Sequence, residues 1–415
     1  MKLEKYSFGI GDRFAHQGKA QLDAFFKAKE AGIPVVPVWN KSFREHQTVG
    51  SSFDQPKQEA DEAVKSLGWT DNYYVDADHI NLSNVDGFLE HANFFTIDVA
   101  DYIGKKAGEK DVAKFTAINT RLIQNKTIPG IPSSASITEE TIRGIGEKYL
   151  FAVRKAGEIY RYIADQKGAD QFIPEISMDE TDQPQTPLEL LLILNALAVE
   201  KIPVQNLAPK FTGRFNKGVD YQGDKKKFEK DFEADVQVVQ FAIDQFGLPD
   251  NLKLSIHTGS DKFSIYPVIG RIIQKHGQGI HVKTAGTTWL AEAIGLCLGG
   301  QDGLDLIKSI YHEAYEQVDD LTAAYAHVID IEKAQLPGPD EVNHWEAEDL
   351  VRALRHVPDD PAYNPNLRQL LHVSYKIAAQ RGTGFTDLLK KYHEPIAREV
   401  TENLFDRHVK KLFLP

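Results

Sequence analysis

The chain has 415 residues, a formal net charge of −12, and 26% charged against 42% hydrophobic residues. It is long enough for a core-forming domain of roughly 250 to 300 residues with an appended region, and its acidic balance argues against nucleic acid, which needs a basic footprint. The same balance repels anions at long range, so an anionic ligand has to be held by local Lys and Arg groups.

Up to about residue 300, short β-like runs alternate with helix-like stretches. In chain order the runs are KYSFGIGD, IPVVPVWN, NYYVDADH, FFTIDVAD, FIPEISMDE, VQNLAPKF, LKLSIHTG and GIHVKTAG. Several are apolar almost throughout, as parallel strands buried on both faces are. Between most of them lie amphipathic stretches such as GKAQLDAFFKAKEAG and TPLELLLILNALAVEKI. The count predicts an α/β fold, a (β/α)8 TIM barrel over residues 1–300, although doubly wound sheets alternate in the same way.

The crossover after FFTIDVAD is long. It carries an insertion at about 104–136, read as a lid or an oligomer contact, and then a helix that begins near Thr138, where SITEE offers a cap with acids in the first turn. Cys297, the single cysteine, lies in the run AIGLCLGG and reads as a small core residue on a helix. After residue 300 the β-like runs stop. GLDLIKSIYHEAYEQVDDLTAAYAHVIDI and the stretch from Arg368 onward have helical periodicity, with a polar, Pro-rich loop around PGPDEVNHW between them. Residues 301–415 are expected to form a helical extension packed on the barrel. No run approaches the roughly 18 apolar residues of a membrane span, and no basic-then-apolar leader opens the chain. A cytoplasmic protein with no membrane partner is expected, in which the Asn-X-Ser/Thr triplets at Asn81 and Asn125 carry no glycan. Composition leaves a homo-oligomer open.

Functional groups of such barrels gather at the C-terminal ends of the strands. The strand endings supply Asp12 and Arg13, Asn40, Asp78 and His79, Asp98, Asp179 and Glu180, Lys210, His257, and His281 with Lys283. His79, His257 and His281 are the candidate metal ligands, because neutral imidazoles suit first-row divalent cations and a three-ligand site with open positions is a catalytic arrangement. Any one of them taken alone is more often a satisfied structural histidine; the constellation carries the argument. Asp78 and Glu180 are the candidate proton carriers, since two carboxylates near a cation can take different protonation states. Asp78 and His79 are adjacent and point to opposite sides of a strand, so both face one site only if the strand end turns. Asp76, Asp98 and Asp179 are expected as supporting groups.

Substrate-binding candidates are Asp12, Arg13, Lys210, Ser260, Lys262, Lys283 and Thr284. HTGSDK and KTAGTT are small-residue turns that can expose backbone N–H groups, but neither is a Walker loop, and GIGDR lacks the dinucleotide fingerprint. Arg368 or His372, in NLRQLLHVSY, is a candidate to reach the site from the extension, with ordinary helix packing the commoner role. His312 and His408 read as solvated helical residues.

The blocks GIGDR, DADH, FTIDVADY, SMDETDQPQTPL, NLAPKFTGRFNKGVDYQGD, SIHTGSDKFSIYP, HVKTAGTTWL and NLRQLLHVSYK run in order to about residue 375. With them the chain closely resembles the tagaturonate/fructuronate epimerase family. The resemblance implies an isomerase acting on a small keto-sugar acid, with His79, His257 and His281 on one divalent cation, Asp78 as proton acceptor and Glu180 as proton donor. The Asp-His pair with two later histidines also looks like the zinc site of class II aldolases. Zinc, nickel, cobalt and manganese all accept such imidazoles. A neutral-ketose epimerase, an aldolase and a sugar- or metal-binding protein without turnover remain the alternatives.

Overall fold

The computed structural model describes every residue except 125, 126, 134, 324, 326 and 415, so the Asn125 triplet lies outside the described residues. Its centre is a closed parallel barrel in the order β1 to β8, with β1 paired to β8. The strands are β1 (Tyr6–Ile10), β2 (Val35–Ser42), β3 (Tyr74–Ile80), β4 (Phe94–Asp98), β5 (Ile173–Met178), β6 (Asn206–Pro209), β7 (Lys253–His257) and β8 (Ile280–Lys283). Each falls within one of the runs read from the sequence or, for β2 and β3, extends slightly past one. The (β/α)8 architecture is therefore as expected, with helices following to the C-terminus.

Helix starts follow local chemistry. Thr138 caps the helix Glu139–Lys167 by accepting from the Thr141 N–H, and Thr186 with Glu189 forms a capping box ahead of Pro187–Val199. Cys297 is buried in Thr288–Gly299. One expectation changes: the Pro-rich segment expected as a loop contains the short helix Pro339–Asn343. Pro339 stands at its first turn, where a missing N–H costs nothing, and Asp340 and Glu341 complement the helix dipole there.

The barrel interior is layered. Its lower part is an apolar plug of Leu3, Val36, Val38, Tyr74, Phe94 and Ile173. Above the plug the lining turns polar and charged, with Asp76, Thr96, Glu175 and Lys283 buried together. Burying such groups is costly unless they satisfy one another.

Helices of the extension pack on one flank of the barrel. His393–Glu402 lies against both Gly18–Glu30 and Thr288–Gly299. The approach is close: a Cβ at Gly295 would sit 2.5 Å from the Ile396 Cα. A second anchor is Asp261, in the loop after β7, which is fully buried and accepts from Arg368 (2.6 Å), His356 (3.1 Å) and His408 (3.0 Å). His408 is thus not a solvated residue. Its Nε2–H donates to Asp261 while its Nδ1 takes the Tyr266 hydroxyl at 2.8 Å, a pairing that only long-range packing supplies. His312 is half exposed, as expected of a helix surface.

Candidate active site

At the C-terminal end of the barrel, Lys283 is the hub. Its ammonium lies 2.7 Å from Asp76, 2.9 Å from Asp78 and 2.9 Å from Glu175, and it also donates to the Thr96 hydroxyl. Burial alone would lower its pKa, but the three carboxylates outweigh that and hold it well above the ordinary lysine value. Burial raises the Asp76 carboxyl to about 7 against the pull of Lys283. Burial works the same way on Asp78, yet Lys283 and the flanking imidazoles leave it below its usual range. A glycine makes the hub possible. A Cβ at Gly9 would lie 2.8 Å from the Lys283 Cγ and 3.2 Å from the Asn40 side-chain nitrogen.

Two imidazoles flank this cluster. His79 Nδ1 is bonded to Asp98 at 3.0 Å, and His257 Nε2 to Glu175 at 2.8 Å. Each carboxylate fixes a tautomer and leaves the other ring nitrogen, Nε2 of His79 and Nδ1 of His257, with its lone pair free. His257 Nδ1 is buried without a hydrogen-bond partner, although an Asp179 oxygen is 3.2 Å away. The rings are 5.2 Å apart at 74°. His79, Asp179 and His257 offer ligand atoms that all lie within 4.8 Å of one another, and they are the group among the described residues with metal-site spacing.

The electrostatics agree with that spacing. Asp76, Asp78 and Glu175 contact Lys283, while Asp98 and Asp179 contact His79 and His257, so five carboxylates stand against one lysine in this cluster. Although burial opposes it, the nearby acids push His257 up to about 9 and His79 well above its ordinary value. Such a surplus of carboxylates calls for positive charge, as protons on the rings or as a divalent cation between them. Two imidazoles with one carboxylate and open positions is a donor set suited to zinc and other first-row cations. The residues present fit a metal.

The turn that brings Asp78 and His79 to one site is visible. The β3–β4 register shifts between Ala77 and Ile80, and His79 takes a φ of 52°. A left-handed non-glycine residue costs roughly 1–2 kcal/mol, and such outliers concentrate at functional sites.

The structure does not bring the third expected histidine into this group. His281 pairs in register with Ser255 and Ser7, whereas Lys283 is the β8 residue level with His257. His281 therefore sits one layer lower, hydrogen-bonded to Ser7 at 2.9 Å and tilted on Phe94 of the plug, with burial pushing it down to about 3. Asp179 stands in the third position. Glu180 is exposed at the mouth, outside the buried cluster, and its charge acts on Lys217.

Of the substrate-binding candidates, Asp12 instead caps the N–H groups of Phe14, His16 and Gln17. Lys262 is spent on the carbonyls of Asn216 and Val219, and Ser260 accepts from the Gly218 N–H. Lys210 is half-buried, with its backbone N–H bonded to Gln185. Thr284 is buried, and its hydroxyl has no partner. Arg13 pairs with Glu45 at 2.9 Å and lies over the Tyr375 ring. Arg368 holds Asp261 and the carbonyls of Gly218 and Leu354, whereas His372 is buried at the mouth with neither ring nitrogen partnered.

Sequence reasoning missed Glu175 and the ligand position of Asp179. A signal was available: 175, 177 and 179 share strand parity, and Ser177 bonds Asp179 at 2.5 Å. Lys217, in a long loop, carried no such signal.

A family model described as tagaturonate epimerase (UxaE) matches residues 1–412. The tagaturonate/fructuronate epimerase of Thermotoga maritima is 27% identical over 417 residues, covering 97% of this chain and 80% of that protein. Two crystal structures of the fructuronate-tagaturonate epimerase UxaE from Cohnella laeviribosi, one native and one complexed with one glycerol, each align with a TM-score of 0.79 at 25% identity. The alignments cover 99% of this chain and 82% of theirs. The chain belongs to the tagaturonate epimerase family, and so to the carbohydrate epimerases.

Proposed function

We propose that this protein interconverts D-tagaturonate and D-fructuronate, with a divalent cation held by His79, His257 and Asp179. The observation that carries the reading is the pair of imidazoles, each tied to a carboxylate through one nitrogen, whose ligand atoms lie with that of Asp179 within 4.8 Å of one another. Family membership supplies the substrate.

The two sugar acids differ at a carbinol carbon β to the ketone. Its hydrogen is not acidified by the carbonyl, so direct removal and return is poor chemistry. Breaking the bond between the α and β carbons is easier: the β hydroxyl loses its proton, its carbon becomes an aldehyde, and the bonding pair passes to the α carbon as an enediolate. A divalent cation in this site supplies Lewis acidity toward the charge that develops on the ketone oxygen.

Asp78 is kept ionised by Lys283 and suits the role of base toward the β hydroxyl. After the aldehyde rotates, the α carbon attacks the opposite face of the aldehyde carbon, so the bond re-forms with the β carbon inverted and its α neighbour unchanged, and the oxygen takes a proton from Glu180. The two acids can exchange roles for the reverse direction. Asp98 and Glu175 hold the imidazoles in orientation. Escape of the aldehyde would make the enzyme an aldolase, so the 301–415 extension, which brings His372 to the mouth, is proposed as the cover that retains it. The 104–136 insertion, expected as a lid or an oligomer contact, packs on the outer helices instead, with Asn119 bonded to Asn195 and Arg121 over Phe246.

The test is an NMR time course on tagaturonate with chelated protein, before and after metal is returned. Fructuronate should accumulate only after addition. Full turnover by rigorously demetallated protein overturns the metal assignment. Deuterium at the inverted carbon, after reaction in deuterated water, overturns the bond-cleavage route.

A further inference from the structure

The reacting end of the site leaves a question open: what holds the substrate's carboxylate in a protein of charge −12. The mouth contains a second set of groups that the chemistry above does not use. His372, on the helix Pro365–Val373, is 1% exposed, and both ring nitrogens lack hydrogen-bond partners among the described residues. Leaving two such atoms unpaired is costly, and it marks a place where a ligand atom completes the set.

The ring of His372 lies over Gly286, in the loop after β8. A Cβ at that glycine would stand 2.9 Å from Cε1 and 3.2 Å from Nε2 of the imidazole. Arg13 reaches the same glycine from β1, with Nη1 3.4 Å from the Gly286 carbonyl. Its Nε edge is taken by Glu45 at 2.9 Å and its plane rests 4.1 Å from the Tyr375 ring centroid. Nη2 has no hydrogen bond to a described residue. Lys217 completes the group from the loop after β6. Its ammonium lies 5.3 Å from the Tyr325 ring centroid, with no hydrogen bond or ion pair to a described residue.

Besides burial, the strongest charges acting on His372 are positive: Arg13, Lys217, Arg368 and Lys262. Arg368 and Lys262 are already spent on Asp261 and on backbone carbonyls. Arg13 and Lys217 retain donor capacity. The acids nearby are Glu45, which Arg13 neutralises, and the exposed Glu180. Glu45 also ties this patch to the reacting end, because its charge interacts with both Asp78 and Lys217.

We propose that Arg13, Lys217 and His372 form the subsite for the substrate's carboxylate, with the extension helix Pro365–Val373 contributing directly to acid-versus-neutral sugar specificity. Arg13 offers its Nη edge, Lys217 its ammonium, and neutral His372 one N–H. A carboxylate with its two oxygens and several lone pairs can accept all three. The neutral end of a ketose would leave the two cations and the ring unpaired, which is the form of discrimination that polar sites enforce most strongly. This assignment rests on the proposed sugar-acid substrate.

The experiment measures kcat and KM of the metal-loaded enzyme on tagaturonate, for wild type, Lys217→Met, Lys217→Arg, His372→Phe and His372→Gln. Lys217→Met should raise KM by about tenfold or more, the loss expected for a charge-assisted hydrogen bond, with kcat changed less than about threefold. Lys217→Arg should restore most of the affinity, and His372→Gln should bind better than His372→Phe. Equal KM values for wild type, Lys217→Met and His372→Phe overturn the subsite while leaving the proposed reaction standing. If wild type epimerises fructose and ignores tagaturonate, the substrate reading fails and the subsite falls with it. Should Lys217→Met not fold, the His372 pair decides alone.

Discussion

His257 Nδ1 lies 3.2 Å from an Asp179 oxygen without a hydrogen bond between them. On the other side of the ring, Nε2 is bound to Glu175. A ring so tied has one lone pair to give. Replacing His257 by Gln or Asp179 by Asn should therefore reduce bound metal after chelation and reconstitution, read by elemental analysis. His281→Gln should keep the wild-type metal content, because His281 lies a layer below, level with Ser255 and Ser7, while Lys283 is level with His257. Loss of metal from the His281 variant with retention in the Asp179 variant would reverse the assignment of the third ligand.

Lys283→Met should be the most damaging single change at the site. It keeps an unbranched side chain one atom shorter but leaves Asp76, Asp78 and Glu175 buried without their shared cation. Breaking a buried pair costs about 3–5 kcal/mol. Denaturant unfolding should show a loss of that size, with epimerase activity reduced as well. Gly9→Ala should act in the same direction, since its methyl would press on the Lys283 Cγ. A Lys283→Met protein as stable as wild type would show that the three acids need no counter-charge.

For the proton carriers, Asp78→Asn and Glu180→Gln should each lower kcat by roughly 100-fold or more, the range of general acid–base assistance. Glu180 is exposed, so its variant should retain wild-type thermal stability. A Glu180→Gln enzyme with unchanged kcat would move the proton donor to another residue.

The Asp261 anchor makes an acid-dependent prediction. Burial lowers His356 and His408 below the ordinary histidine value of about 6.5, so both are neutral when folded. A folded pKa below the unfolded one gives stability that is complete above about pH 6.5 and is lost as the pH falls through the folded value. His408→Gln retains a donor for Asp261 and an acceptor for Tyr266 without a titrating ring. Its Tm should fall less steeply than that of wild type as the pH drops below about 6.5. The comparison must be a difference between the two proteins, because Glu59, Glu292 and Asp235, raised by burial, bend the absolute curve the other way. Parallel curves would show that His408 does not titrate on unfolding.

The barrel and the location of its chemistry were legible in the sequence because they depend on local pattern. Apolar runs of strand length recur between amphipathic helices, and polar residues close each run, so the strands and the end that carries the site can be read one segment at a time. Parity even singles out Asp179, which shares the inward face of Glu175 and Ser177. What period two cannot give is depth. His281 and Lys283 have the same parity, and only the register of β8 against β7 and β1 decides that Lys283 is level with His257 while His281 rests on the plug. The same limit hid the role of His408 and left His372 undecided between the site and ordinary helix packing. Their surroundings come from Asp261, Tyr266, Gly286 and Lys217, all distant in the chain, and burial is a property of that assembly, whereas hydropathy belongs to each segment alone.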